Sequence, residues 1–357
     1  MKDKVVGTWL MIGVLMIFIQ VLIGGITRIT GSGLSITKWE IVTGTIPPLN
    51  SSDWHDAFDL YKETPQYKKI NEGMSLKEFK FIYFWEYFHR LWARLMGLVF
   101  AIPFIFFLTK KWLRPGDIAN LAGVILLAAV VASFGWIMVQ SGLYDRPWVS
   151  PIKLSLHLIL AIFLFIFVLL LSFDKLIPKQ SFYNSKQAKP SMLLVLLIFA
   201  LFIQIILGGM MSGLRAGINY PTFPLMNGSL FPPALYAEFW SVKSLVNFES
   251  STFTIAFVQF FHRVFALFVL VLSLIFSLKM FKLSKSPISK NASLFLTAAV
   301  IAQFTIGVIT VLKCKSGIPL FWGVMHQAFA LVLISALAFN VYLLISEKKL
   351  SLGSSDI

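Results

Sequence analysis

Eight stretches of this chain are apolar and free of charge for long enough to cross a bilayer as helices, and no other feature restricts its fold as much. They cover residues 7–26, 83–108, 118–140, 152–173, 191–212, 254–278, 292–312 and 320–346, each near the ~20 residues that a hydrocarbon core requires. Inside lipid every backbone N–H and C=O must find its partner within the protein, which a helix does for itself. The expectation is therefore an all-α membrane protein with eight transmembrane helices. With 57% hydrophobic and only 13% charged residues, a soluble protein of this length is excluded.

The net charge of +15 does not indicate a nucleic-acid partner, because the basic residues form no patch. They fall in the loops of one side. Segments 1–4, 109–118, 174–190, 279–291 and 347–357 together hold fifteen Lys and Arg against five acids. Short basic loops such as Lys110, Lys111 and Arg114, or Lys279, Lys282, Lys285 and Lys290, belong on the cytoplasmic side, and both termini with them. The excess charge then reports topology and contact with anionic membrane lipid. The apolar stretch after Lys2 and Lys4 is too long for a signal peptide and no small-x-small cleavage site follows it, so it reads as a retained helix. No Arg- and Ser-rich transit extension precedes it, which points to a bacterial inner membrane. The single cysteine, Cys314, has no internal disulfide partner and reads as a small packing residue at the end of the seventh helix.

Comparison of the spans with one another reveals a repeat of four helices with a period of about 170 residues, so two pseudo-symmetric four-helix bundles are expected, 1–180 and 181–357. The odd helices carry Gln-x-x-x-Gly, from Gln20 to Gly24, Gln204 to Gly208 and Gln303 to Gly307, and in the third helix Val131 replaces the glutamine before Gly135. Glycine at this spacing lets a neighbouring backbone approach while the amide bonds across helices, so the motif reads as packing; a wall thinned in this way also suits a flat macrocycle.

The even helices carry one histidine each: His89, His157, His262 and His326. The offsets between halves are 173 and 169 residues. From each histidine to the first charge at the basic end there are 21, 17, 17 and 21 residues, or roughly 25–32 Å of helix, which sets all four at one depth near the outer face. One buried histidine is unremarkable. Four at matched depth in repeat-related pairs, inside an apolar bundle, are what haem iron asks of a protein. A cytochrome that carries electrons across a membrane stacks its haems at opposite faces, with two histidines on one helix. Here two sites would lie side by side at one face, which suits local chemistry better.

The repeat breaks at one charged position. Glu86-Tyr87-Phe88-His89-Arg90 matches Gln259-Phe260-Phe261-His262-Arg263, so a carboxylate precedes only the first histidine, three residues away and on the same helical face. Two readings stand at this point: Glu86 moves protons or stabilises positive charge at a reacting group, or it forms a salt bridge with Arg90 or Arg94. On the first reading the N-terminal half hosts a reaction and the C-terminal half holds a haem that accepts and passes electrons. Arg28, Arg90, Arg94, Arg215 and Arg263 are candidates to bind haem propionates, Arg90 and Arg263 foremost because they follow the histidines. Snorkelling to lipid phosphate is the simpler reading for Arg28 and Arg215.

The two long outer loops, 27–80 and 213–253, repeat as well, each with early glycines and a double proline, Pro47-Pro48 and Pro232-Pro233. The first contains an amphipathic helix after Ser51-Ser52 with Trp54, Phe58 and Tyr61 on one face, expected to lie over the N-terminal bundle. His55 points from its polar face beside Asp56 and Asp59 and is rejected as a ligand.

The run Gly24-Gly25-Ile26-Thr27-Arg28-Ile29-Thr30-Gly31-Ser32-Gly33-Leu34-Ser35, the turn Ile46-Pro47-Pro48-Leu49-Asn50, the segment Phe84-Trp85-Glu86-Tyr87-Phe88-His89-Arg90 and the segment Thr222-Phe223-Pro224-Leu225-Met226-Asn227-Gly228 together resemble the haem A synthase family. The resemblance covers essentially the whole chain and is closest to the long-loop form of mitochondria and Gram-negative bacteria. Asn227 departs from an expected aspartate, as does Val131 from the glutamine. The resemblance implies oxidation of the C8 methyl of haem O to the formyl group of haem A, as needed by haem-copper terminal oxidases. It also implies a resident haem b held by His262 and His326, haem O as substrate and haem A as product between His89 and His157, and Glu86 as the catalytic acid. Haem O synthase and terminal-oxidase assembly factors are the implied partners, and self-association is left open. From the residues alone two alternatives stay open: a b-type electron-transfer membrane cytochrome, and a four-plus-four-helix transporter with histidine proton relays.

Overall fold

The computed structural model describes residues 1–38, 43–144, 146–178, 180–183, 191–236, 248–249 and 251–353. Eight long helices account for the eight apolar stretches: α1 Lys2–Ile29, α4 Leu76–Thr109, α5 Pro115–Leu143, α6 Pro151–Leu176, α7 Met192–Gly213, α8 Thr252–Leu283, α9 Pro287–Leu312 and α10 Leu320–Gly353. Two short helices, α2 Ser51–Lys62 and α3 Pro65–Lys69, stand in the first loop. Among the described residues there is no strand. The protein is an all-α, multi-pass membrane protein.

Most helix starts are chemically marked. α4 begins well before the apolar stretch because Ser75 and Glu78 form a capping box, each side chain bonding the other's backbone N–H. Proline opens α5, α6 and α9, where its missing N–H costs nothing. Many large apolar side chains face outward, Ile102, Phe199, Phe268 and Leu294 among them, as expected of surfaces that meet lipid rather than water.

Two apolar cores form. One joins α1, α4, α5 and α6, with Leu331, Ile334 and Ala338 of α10 inserted into it. The other joins α7, α8, α9 and α10 with Phe182 and Tyr183 of the segment before α7. That segment is tied down by Glu347, whose buried carboxylate accepts hydrogen bonds from the backbone N–H of Phe182 (2.6 Å) and Tyr183 (3.2 Å) and from the Ser181 hydroxyl (2.8 Å). At the same end Lys175 pairs with Asp3 (3.3 Å) and Asp117 (2.8 Å), joining α6 to α1 and α5.

The first outer loop packs onto the extended start of α4. Phe58 and Tyr61 of α2 bury against Phe79 and Ile82, with Trp54 at the margin, so the amphipathic face lies where its pattern placed it. His55 stays on the exposed side, bonded to the Ser51 carbonyl at 2.6 Å. Tyr61 is fully buried; its hydroxyl donates to Gln66 Oε1 (3.0 Å) and accepts from Asn71 (2.7 Å), while Gln66 Nε2 reaches the Gly31 carbonyl (2.9 Å). Tyr61→Phe is therefore expected to cost about 1–3 kcal/mol, because it strands the buried Gln66 carbonyl oxygen and the half-buried Asn71 amide. Burial pushes the phenol up from 10.0 to about 12. Its contribution is thus complete below the unfolded value and declines as pH rises through the folded one. Thermal unfolding of the two proteins at neutral pH measures the difference.

Candidate functional site

All four transmembrane histidines line one continuous cavity of about 1420 Å³, together with Glu86, Arg28, Arg90, Arg94, Arg215 and Arg263. This exceeds the roughly 300–1,000 Å³ of an ordinary small-molecule pocket. The His262 and His326 rings stand 6.4 Å apart between centroids, at 79°. Two metal–nitrogen bonds of about 2 Å plus the two ring radii sum to roughly 6 Å, so the separation of this pair would admit an iron ion. Among the described residues no group of three or more His, Cys, Asp or Glu forms a cage. An imidazole pair at this spacing would leave the remaining coordination to a macrocycle, as haem iron requires.

The Gln-x-x-x-Gly motif serves these histidines directly. Each glycine faces one imidazole: an added Cβ would stand 3.1 Å from His89 Cε1 at Gly24, 3.0 Å from His157 at Gly135, 3.4 Å from His262 at Gly208 and 2.8 Å from His326 at Gly307. The amide of Gln20 contacts both ring nitrogens of His89 at 3.3 Å, Gln204 Nε2 lies 3.4 Å from His262 Nε2, and His157 Nδ1 meets the Val131 carbonyl at 3.0 Å. Gln20 Nε2 also donates to the His89 carbonyl at 3.1 Å, so the expected close approach and interhelical bond are present, and what packs against each glycine is a histidine ring. The sequence held a clue, since glycine persists in the third helix where the glutamine does not. Buried Nδ1 of His262 and His326, and Oε1 of Gln20, Gln204 and Gln303, have no hydrogen-bond partner among the described residues. Such groups cost about 1–3 kcal/mol each, and a polar, metal-bearing guest in the cavity would offset that.

Glu86 is buried and saturated. Oε2 accepts from the Ser35 backbone N–H (2.7 Å), the Ser35 hydroxyl (2.7 Å) and the Ile36 N–H (2.9 Å), while Oε1 accepts from Arg90 at 2.6 Å. The salt bridge is to Arg90, and the three further donors come from a loop some fifty residues away. In the second half Gln259 Nε2 and Arg263 Nη2 both donate to the Tyr220 carbonyl at 2.9 Å. The residue three before each histidine and the arginine after it therefore hold the outer loop over the cavity in both halves, with a charge in one and an amide in the other.

Arg28 does not reach toward lipid headgroups. It crosses to α7, donating to the carbonyls of Ser212 (2.7 Å) and Gly213 (3.0 Å), where a helix C-terminus leaves acceptors open. Its Nε is buried without a partner among the described residues and it lines the cavity, which fits its place among the candidate propionate partners better than snorkelling. Cys314 is free and buried, with its thiol on the Thr310 carbonyl (3.2 Å); burial pushes its thiol pKa up, as for an inert packing cysteine.

Residues 7–338 match the cytochrome oxidase assembly protein family. The chain belongs to that family. Several members similar to it carry the name haem A synthase. The protein from Nitrosospira multiformis is 41% identical over 94% of this chain and 92% of its own length. That from Flavobacterium johnsoniae is 39% identical over 96% and 98%, and that from Wolbachia pipientis wMel 40% over 96% and 94%. Family membership thus spans both halves, both outer loops and all four histidines.

Proposed function

We propose that this family member is a haem A synthase, an oxidoreductase acting on a CH group that converts the C8 methyl of haem O to the formyl of haem A. The observation that carries the reading is the inequality of two otherwise matched sites: a carboxylate stands beside His89 and an amide beside His262. In this reading residues 181–357 hold a resident haem b between His262 and His326, and residues 1–180 hold haem O, later haem A, between His89 and His157. Bound haem supplies the redox chemistry; a methyl group becomes an aldehyde only by losing electrons and protons and gaining oxygen.

The protein's share is binding and electrostatics. Gly24 and Gly135 let the two substrate-site imidazoles sit against their neighbouring helices. Arg90, Arg94 and Arg263 line the cavity and supply cationic groups suited to propionates. Glu86, fixed by four donors, holds negative charge beside the reacting group and is suited to stabilise positive charge developing there; Arg90, Ser35 and Ile36 position it. The loop they anchor covers the site and limits water. The basic loops support a bacterial inner membrane with both termini cytoplasmic and the histidine end outward. A haem O synthase would supply the insoluble substrate, and terminal-oxidase assembly factors would receive the product.

The test is haem extraction from cells that make no haem A of their own, carrying this gene with and without a source of haem O. Haem A is expected only when both are present. Its absence with haem O accumulating would contradict the assignment.

A further inference from the structure

We infer that haem O enters and leaves the N-terminal site sideways from the lipid, through a seam between α4 and α5, and that the C-terminal site has no such seam. This rests on the N-terminal pair being the substrate site. α4 and α5, the helix with His89 and its successor, scarcely touch, whereas the repeat-related α8 and α9 pack along each other. The cavity walls differ in the same way. On α4 the lining residues Gly97, Ala101 and Ile105 are exposed, as are Ala132, Ser133 and Trp136 on α5. None of the cavity-lining residues on α8 or α9 is exposed.

The seam suits its occupant. An added Cβ at Gly97 would meet nothing within 4 Å, so the wall is open there. Ala101 lies roughly 18 Å further along the helix from His89 and about 10 Å beyond Arg94, and Gly97 stands one turn beyond Arg94. Inward of Arg90 and Arg94 the opening is therefore lined mainly by apolar side chains, with Ser133 the exception. Haem O has the same polarity, with propionates at one edge and a long isoprenoid tail at another. A tail left in lipid until the propionates engage the arginines avoids exposing apolar surface to water. The closed α8–α9 wall, conversely, gives the C-terminal site no lateral exit of its own.

The experiment uses the full-length protein in nanodiscs, its C-terminal haem in place, mixed with phosphatidylcholine vesicles carrying haem O, with arrival at His89 and His157 followed by absorption. Gly97→Trp and Ala132→Trp should slow both arrival and release by about tenfold or more while leaving the final occupancy unchanged. Ile301→Trp on the outward face of α9 should do neither. Unchanged rates in the plugged variants would overturn the portal, with the function intact. Lower occupancy with faster release would also overturn it, by making these residues part of the binding surface. If unmodified protein never takes up haem O, the functional reading itself fails.

Discussion

Glu86→Ala is expected to lower haem A formation by about 10²-fold or more, the usual consequence of removing a fixed charge aimed at a developing one, while the absorption of haem at His262 and His326 stays unchanged. The size of the effect follows from the environment. Glu86 is 3% exposed, and without it the Ser35 and Ile36 donors and the Arg90 guanidinium all lose an acceptor, so the covering loop loosens as well. Glu86→Gln separates charge from anchoring. A glutamine oxygen at this position can still accept from the Ser35 and Ile36 donors, whereas Gln259 holds its own loop the other way round, by donating to the Tyr220 carbonyl at 2.9 Å. The Gln variant should therefore melt close to the unaltered protein yet form almost no haem A, read by extraction and chromatography. Full conversion by Glu86→Gln would reduce the residue to a loop anchor.

Bulk at the ring-facing glycines should have the next largest effect. A Cβ at Gly307 would sit 2.8 Å from His326 Cε1, too close for the ring to stay where it is. Gly307→Leu is expected to weaken retention of the C-terminal haem by about 10–100-fold, as disturbing the groups that orient a metal ligand commonly does. Alanine substitutions give a finer test, because the four distances rank them. Gly307→Ala should be the most damaging, followed by Gly135→Ala and Gly24→Ala at 3.0 and 3.1 Å, with Gly208→Ala mildest at 3.4 Å. Haem content per protein after purification measures the C-terminal pair, and haem O titration the N-terminal pair. A flat or inverted ranking would show that the rings do not depend on these glycines.

The apolar stretches located every membrane helix among the described residues, since lipid leaves the backbone few alternatives. The ends were less legible. α4 starts at Leu76 rather than near residue 83 because a polar capping box carries the helix past its apolar run; the Ser-x-x-Glu signal was present but lies outside a hydropathy pattern. The histidines stood out through depth and repetition, which are properties of one dimension. The glycines opposite them did not, because a helix-packing glycine and a ring-seating glycine share one spacing, and only the neighbouring helix tells them apart. Glu86 was found by its broken symmetry, whereas its donors Ser35 and Ile36 lie far along the chain and no local pattern pairs them with it. Snorkelling and a cavity role both stayed open for Arg28 for a related reason: its partners, the end carbonyls of α7, are backbone groups that any sequence could supply.

The central claim is that the two histidine pairs are unequal, one keeping a haem and the other processing one. Optical spectra of purified protein with either pair replaced by alanine test this most directly. His262→Ala with His326→Ala should abolish the resident haem spectrum, whereas His89→Ala with His157→Ala should retain it and lose only the uptake of added haem O. Loss of the resident spectrum from the His89 and His157 variant, or its survival in the His262 and His326 variant, would contradict the account.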